Sequence, residues 1–536
     1  MSKIIGKKYD TCYDNTRYRN HKGGYPMTQV ISAREAAALV HDGNTLAHSG
    51  FVGFGLPDYL LEALQERYEH TSSPKNLTLI KIIGDSDKKG HGSDRLASEG
   101  LVRTLISSHA GLEPDFSRSI QENKCLAYML PLGVLLKLFR AQAAHQPGVW
   151  TETGLHTFVD PRLEGGKAND RTRHEGPDLV RLTHVDGKEY LFFPALPIHI
   201  CFLRGTYADE EGNISIEKEA LQCDQLELAA ATHNSGGIVV VQVEDIVARG
   251  TLDPRLVKLH HFMVDYVVKA PPGHHCQSLA TDAFRPELTG EIKKPLAAFS
   301  PIPLSIRKIC AMRAAQELSP GSLINLGIGM PQGVASAAAE MGISNLMFST
   351  ESGVLGGIPL TGLDMGAAVN PEAIYKTADI LDLYDGGCLD LAVLGLAEMD
   401  CTGNVNVSRF NGRVVGPGGF IDISQNTRHI IFLGTFTAGG LQVSCSDGAL
   451  HIVQEGTYKK FKKQVEQITF SAEYALAHHQ TVQVITERAV FVLTDKGLML
   501  TELAPGIELE KDILQQMDFQ PLIAPSLKRM DTSLFI

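Results

Sequence analysis

The stretch Ser349-Thr350-Glu351-Ser352-Gly353-Val354-Leu355-Gly356-Gly357 holds one carboxylate at the end of an apolar segment, Leu346-Met347-Phe348. The glycines that follow let the chain turn sharply and bring backbone N–H groups close to a ligand. A glutamate shielded from water in that position can act as a covalent nucleophile, splitting one acyl transfer into easier steps. The ordinary reading is a solvated Glu in the loop after a strand. A second segment favours the chemical reading. Gly416-Pro417-Gly418-Gly419-Phe420-Ile421-Asp422 places three glycines around a proline before an apolar run. A plain turn explains one or two of them, whereas three suit a loop whose N–H groups donate to an anionic or carbonyl oxygen.

The elements that must carry these loops read as α/β. Continuous apolar runs such as Gly237-Ile238-Val239-Val240-Val241 and Ala392-Val393-Leu394-Gly395-Leu396 alternate with helical stretches such as residues 305–317. Strands of that kind belong to parallel sheets covered on both faces. The chain also looks duplicated. Gly53-Phe54-Gly55-Leu56-Pro57 follows one strand-like stretch and opens a helical pattern, and Gly327-Ile328-Gly329-Met330-Pro331 does the same in the second half. Ala208-Asp209-Glu210-Glu211-Gly212-Asn213-Ile214-Ser215 resembles Glu398-Met399-Asp400-Cys401-Thr402-Gly403-Asn404-Val405-Asn406. The longer interval between the first pair of marks implies an insertion in the first half. The expected organisation is an N-terminal extension over 1–26, a first half over 27–285, a proline-rich linker over 286–303, and a second half over 304–536 that carries Glu351.

Composition narrows the function. A net charge of −12 argues against a general nucleic-acid binder. No apolar run has the length of a membrane span, and residues 192–203 are short and broken by two prolines and a histidine. Residues 1–27 are polar, with no apolar core for a signal peptide. Nine cysteines are scattered without a CxxC pair, so neither a disulfide framework nor a zinc site is indicated. The histidine doublets at 260–261, 274–275 and 478–479 read as surface or core residues rather than ligands. The expectation is a cytoplasmic, reduced, metal-free protein. The GxGxP turns could approach an anion at a helix start, yet neither half has a full GxGxxG with its acidic partner, and no GxxxxGK[ST] occurs.

Taken together, Glu351-Ser352-Gly353 with Gly356-Gly357, the loop from Gly416 to Phe420, and Gly403-Asn404-Val405-Asn406 resemble family I CoA-transferases. Phe158-Val159-Asp160-Pro161-Arg162 with Gly165-Gly166-Lys167, Ile452-Val453-Gln454-Glu455-Gly456, and Ile485-Thr486-Glu487-Arg488-Ala489-Val490-Phe491 narrow the resemblance to the single-chain bacterial acetate/propionate (short-chain acyl) type. The resemblance implies two related α/β/α halves fused in one chain. It implies Glu351 as nucleophile, Gly418 and Gly419 as oxyanion donors with Gly416 in the same loop, and Asn406 near a glutamyl-CoA thioester. Substrates would be an acyl-CoA and a carboxylic acid exchanged by ping-pong chemistry. CoA would be a substrate carried covalently, with no separate cofactor, and the protein a homo-oligomer, dimer or tetramer. Lys459, Lys460, Lys462 and Lys463 could meet CoA phosphates, although such clusters commonly form a solvated helix face.

Two positions depart from the family pattern. Where these enzymes carry Pro-Gln-Gly, this chain has Pro131-Leu132-Gly133, which removes a side-chain donor. Where close relatives carry His-Trp-Gly, it has His109-Ala110-Gly111, which removes a large ring. Leu132, Ala110 and Gly353 are therefore expected at a roomier, more apolar acyl pocket that takes a bulkier acyl group than acetate or propionate. Alternatives are an acyl-CoA hydrolase on the same scaffold, a CoA- or nucleotide-binding regulator with weakened catalysis, and a nicotinamide-dependent dehydrogenase.

Overall fold

The computed structural model describes residues 28–295 and 303–536. The expected extension over 1–26 and the end of the expected linker lie outside them. Runs such as Ile238–Val243 and Leu391–Gly395 are apolar at nearly every position, so as strands they need cover on both faces. They lie inside two large sheets. The first has eight strands in the order Gln29–Val30, Tyr266–Lys269, Ile238–Val243, Ile200–Arg204, Thr45–His48, Leu77–Ile80, Val102–Ser107 and Leu126–Met129, all parallel. The second has ten strands, drawn from residues 323–529. Its central five, Met347–Ser349, Leu323–Leu326, Leu391–Gly395, His429–Leu433 and Thr481–Ile485, are parallel. Antiparallel strands extend it beyond Thr481–Ile485 and beyond Met347–Ser349.

The duplication expected from the sequence is a duplication of topology. In each sheet the strand that precedes the GxGxP turn lies between its own successor and the strand that precedes the Asp-Gly-Asn mark. That mark forms the same hairpin twice. Asp209 Oδ1 accepts the N–H groups of Glu211 (3.0 Å) and Asn213 (2.9 Å). Asp400 Oδ1 accepts those of Thr402 and Asn404, both at 3.0 Å. Gly212 and Gly403 turn at φ +94° and +97°, a region that side chains with a Cβ rarely occupy. The insertion in the first half is a separate three-stranded sheet of Gly148–Thr151, Lys188–Pro194 and Arg181–Val185.

The helix expected over 305–317 spans Ile306–Ala315, with Ser305 Oγ accepting the Lys308 N–H at 3.3 Å. The start of the expected linker is ordered against the second half. Pro286–Leu288 forms a 3₁₀ turn, and the Glu287 carbonyl accepts the Asn370 N–H at 2.9 Å. The lysine cluster is not on a helix. Tyr458–Lys459 and Phe461–Lys462 are short strands, and Lys460 is buried, its amine pushed down to about 8 by desolvation. None of the histidine doublets lies in a strand. All eight cysteines among the described residues are free. No helix among those residues is long and apolar enough to cross a membrane.

Candidate active site

Glu351 leaves the end of strand Met347–Ser349, in a turn tied down by several hydrogen bonds. Gly353 N–H donates to Thr350 O (3.0 Å), and Thr350 N–H to Val354 O (2.9 Å). Ser352 Oγ and Thr350 Oγ1 both donate to the Gly366 carbonyl, at 2.6 and 3.1 Å. One residue earlier, buried Ser349 receives the Tyr384 hydroxyl at 2.8 Å. The backbone under Glu351 is therefore held on both sides, and its side chain projects into a cavity of about 480 Å³.

That cavity lies where the two halves meet. Phe51, Val52, Ile83, Gly84, His109 and Leu112 come from the first half; Leu326, Ile328, Leu394, Val415 and Phe420 from the second. Apolar side chains form most of the wall, and Glu351 is the one acidic residue among the described residues lining it. Burial among these groups pushes the Glu351 carboxyl up to about 7, while the Gly419 N–H directed at it pulls the other way. The carboxylate is partly open to the cavity yet deep in the protein, so it is desolvated and reachable at once.

The glycine loop is fastened across the interface by main-chain bonds. Gly418 N–H donates to Ser108 O (2.9 Å), Ala110 N–H to Val415 O (2.8 Å), and Leu132 N–H to Gly418 O (3.2 Å). Gly133 N–H donates to buried Asp422 Oδ1 at 3.1 Å. These bonds change the roles expected from the sequence. Gly416 and Gly418 border the cavity, but their N–H groups are already given to Ser408 O and Ser108 O. Gly419 alone of the three aims its N–H at Glu351.

Asn406, expected near a glutamyl-CoA thioester, is not among the residues that line the cavity. It is fully buried. Its Nδ2 donates to Glu398 (2.9 Å) and Arg409 O (2.6 Å), and its Oδ1 accepts the Ser408 and Arg409 N–H groups. It holds the turn that brings neighbouring Val407 to the wall. Leu132, Ala110 and Gly353 do not line the cavity either. Leu132 and Ala110 are fully buried behind it, because their main-chain bonds to the glycine loop turn their side chains into the core. Gly353 has a backbone task. It turns at φ +109°, and a Cβ there would meet Tyr375 O at 2.2 Å.

Five polar side chains at the cavity were not singled out from the sequence: Lys88, His109, Asn325, Gln332 and Arg413. His109 stood inside the His-Ala-Gly motif, so its position was marked though not its part. Lys88 and Arg413 lie in loops and hairpins with no local signature. Behind His109 a buried cluster braces the wall: Lys81 Nζ donates to Glu113 Oε1 at 2.7 Å, and Glu113 Oε1 accepts the Asp85 N–H at 2.6 Å.

Two repeated α/β halves closing on one shielded carboxylate make an architecture suited to group transfer, and comparison with known proteins says which. The model of the coenzyme A transferase family matches residues 30–270. Caffeate CoA-transferase of Acetobacterium woodii is 44% identical over 515 residues, covering 95% of this chain and 98% of that protein. The chain belongs to the coenzyme A transferase family. Acetate CoA-transferase YdiF of Escherichia coli K12 is 42% identical over 510 residues, with 95% of each chain covered. The crystal structure of the acyl-CoA transferase YdiF apoenzyme from E. coli O157:H7 superposes with a TM-score of 0.89 at 41% identity, covering 96% of this chain and 98% of that one. The same enzyme is also known as a thioester complex with CoA, with the same TM-score. Like these relatives, the chain carries both halves of the fold in one polypeptide.

Proposed function

We propose that this CoA-transferase moves CoA between an acyl-CoA and a free carboxylic acid, with Glu351 as the covalent carrier. One observation supports this most: among the described residues a single carboxylate lines the cavity between the halves, desolvated and met by the Gly419 N–H. A Glu351 oxygen attacks the thioester carbonyl, the C–S bond breaks, and CoA leaves as thiolate from an acyl-glutamyl anhydride. The thiolate then attacks the glutamyl carbonyl and the acyl group departs as its carboxylate, leaving a glutamyl-CoA thioester. The incoming acid runs the same steps in reverse. The thioester's energy is kept throughout, so the exchange needs neither ATP nor a cofactor beyond CoA itself. The Gly419 N–H that meets the carboxylate at rest is placed for the oxyanion formed when the glutamyl carbonyl is attacked. Apolar walls keep water from both hydrolysable intermediates. The enzyme works in the cytoplasm as a homo-oligomer in this reading.

Intact-protein mass spectrometry after incubation with acyl-CoA tests it. Wild type should gain the mass of CoA less water, and Glu351→Ala should not. Free CoA released without any adduct and without a carboxylate acceptor would favour hydrolysis instead.

A further inference from the structure

The Gly419 N–H that meets Glu351 belongs to a peptide unit gripped from the other half of the chain. In a trans peptide the C=O and the N–H point in opposite directions, so fixing one aims the other. The carbonyl of this unit is that of Gly418, and it accepts the Leu132 N–H at 3.2 Å. Leu132 opens the helix Leu132–Ala143, whose N-cap, Pro131, supplies no side-chain acceptor. The first N–H groups of a helix have no partner inside it and need one from outside. Leu132 gives its N–H to Gly418 O, and Gly133, the next residue, gives its own to Asp422 Oδ1 at 3.1 Å. Two successive orphan donors of a first-half helix thus hold the segment that aims Gly419 at Glu351.

Asp422 is fully buried in the first turn of helix Phe420–Gln425, which Gly419 caps. Gly133 makes room for the carboxylate, since a Cβ there would strike Oδ1. The far end of the same helix is pinned to the first half as well. Gln425 Oε1 accepts the Gly154 N–H at 2.7 Å, and its Nε2 donates to Glu152 O at 2.6 Å. The charges that reach Asp422 are Lys137, from helix Leu132–Ala143, Asp385, from helix Thr377–Asp385, and Glu351. Lys137 is paired with Asp385, whose Oδ1 also accepts Thr153 Oγ1 at 3.2 Å. Asp422 Oδ2 has no partner among the described residues. Burial, with the Asp385 carboxylate nearby, pushes the Asp422 carboxyl well above the ordinary range. Oδ1 therefore accepts as the carbonyl of a neutral acid.

We propose that Asp422 is a positioning residue for the Gly419 oxyanion donor: by accepting the Gly133 N–H it keeps the Gly418 carbonyl on the Leu132 N–H, and so sets the direction of the Gly419 N–H. Asp422 does not line the cavity and acts only through that peptide unit. The first half then serves the reaction through main-chain donors of one helix, and at position 132 it is the N–H, not the side chain, that is used. This rests on the reading of Glu351 as the covalent carrier.

The test measures kcat, KM and the pH midpoint of single-turnover adduct formation for Asp422→Ala, Asp422→Asn and Gly133→Ala. The substrate is the acyl-CoA that wild type uses fastest in a panel from acetyl- to hexanoyl-CoA. Asp422→Ala should lose about 10- to 100-fold in kcat, the scale of a small misplacement at the reacting centre, with KM changed less than about threefold. The Gly419 N–H lowers the Glu351 carboxyl, so its misdirection should move the midpoint up from about 7. The other groups facing Glu351, namely His109, Lys88 and Arg413 along the cavity and Tyr384 beneath, stay in place in all three variants. Asp422→Asn keeps an acceptor at Oδ1 and should recover most of kcat and the wild-type midpoint. Gly133→Ala displaces the carboxyl group without changing any second-half residue, and should repeat both effects of Asp422→Ala; it carries the test if Asp422→Ala does not fold. A midpoint that moves down in both Asp422 variants would reveal a charge acting on Glu351 and would overturn the inference. Equal impairment by Ala and Asn, or a loss of kcat with the midpoint unmoved, would overturn it too. Turnover by wild type with no glutamyl-CoA adduct sinks the Glu351 mechanism, whereas an adduct formed as fast by Asp422→Ala as by wild type sinks this inference only.

Discussion

A Cβ placed on Gly419 would lie 1.8 Å from Oε2 of Glu351. The approach of these two residues depends on glycine, and it joins a loop held by the first half to a carboxylate carried by the second. Gly419→Ala should abolish adduct formation and lower kcat/KM by roughly 100- to 1000-fold, the scale of losing one oxyanion donor. Gly418→Ala is the contrast. Its Cβ would meet nothing within 4 Å, and its φ of +55° costs about 1 kcal/mol of strain. It should melt slightly earlier and still form the adduct, and equal loss in both variants would count against this reading of the loop.

Attack requires the ionised form of Glu351, whose carboxyl is held at about 7. Below that value kcat/KM for acyl-CoA should fall tenfold for each pH unit, and above it should level off. Single-turnover adduct formation between pH 5.5 and 8.5 measures this directly. A flat profile over that range would show a carboxylate ionised throughout.

The same shift carries a stability consequence of opposite sign to that of a salt-bridged acid. The folded value lies above the ordinary 4.5, so ionising Glu351 disfavours the fold. The penalty is nil below the ordinary value, grows as pH rises from there through about 7, and is complete above it. Glu351→Gln should therefore be more stable than wild type at pH 8 by on the order of 1–2 kcal/mol, a figure discounted because the cavity admits water. Near pH 4 denaturant melts of the two should coincide.

Gly353→Ala should destabilise as well as inactivate. Its backbone is in the left-handed half of conformational space, and the new methyl would strike the Tyr375 carbonyl. A loss of about 2 kcal/mol or more is expected, with the turn below Glu351 displaced. Normal melting with normal adduct formation would mean that the turn relaxes freely.

Ala110→Trp, which puts a large ring at this position, enters a fully buried site behind the cavity wall. Overpacking of that kind costs roughly 1–3 kcal/mol. Thermal melting should fall, and any change in acyl-length preference should come through the adjoining His109 and Gly111. A stable variant with an unchanged acyl profile would leave Ala110 without a part in selectivity.

Much of this molecule is readable from the chain. Apolar runs that need cover on both faces mark the central strands, and two GxGxP turns with two Asp-Gly-Asn hairpins mark the repeat, because each is a local solution to a local backbone demand. Glu351 and Gly419 are legible for the same reason: a carboxylate before a sharp turn and a glycine before a helix leave signatures within a few residues. The lysines at 459–463 were harder, since a cluster of charges does not distinguish a helix face from two short strands with one buried amine.

What only tertiary structure decides is which donors remain free and which side chains face the cavity. The N–H groups of Gly416 and Gly418 are spent on carbonyls, one of them in the other half of the chain, and Asn406 is saturated by its own turn. Ala110 is buried in the core although His109 and Gly111 on either side of it line the wall, and Leu132 is buried in the core as well. His109, Lys88 and Arg413 line the same cavity from places up to hundreds of residues apart. Local sequence determines backbone conformation over a few residues, whereas the partners of a polar group and the direction of a side chain depend on packing between segments distant along the chain.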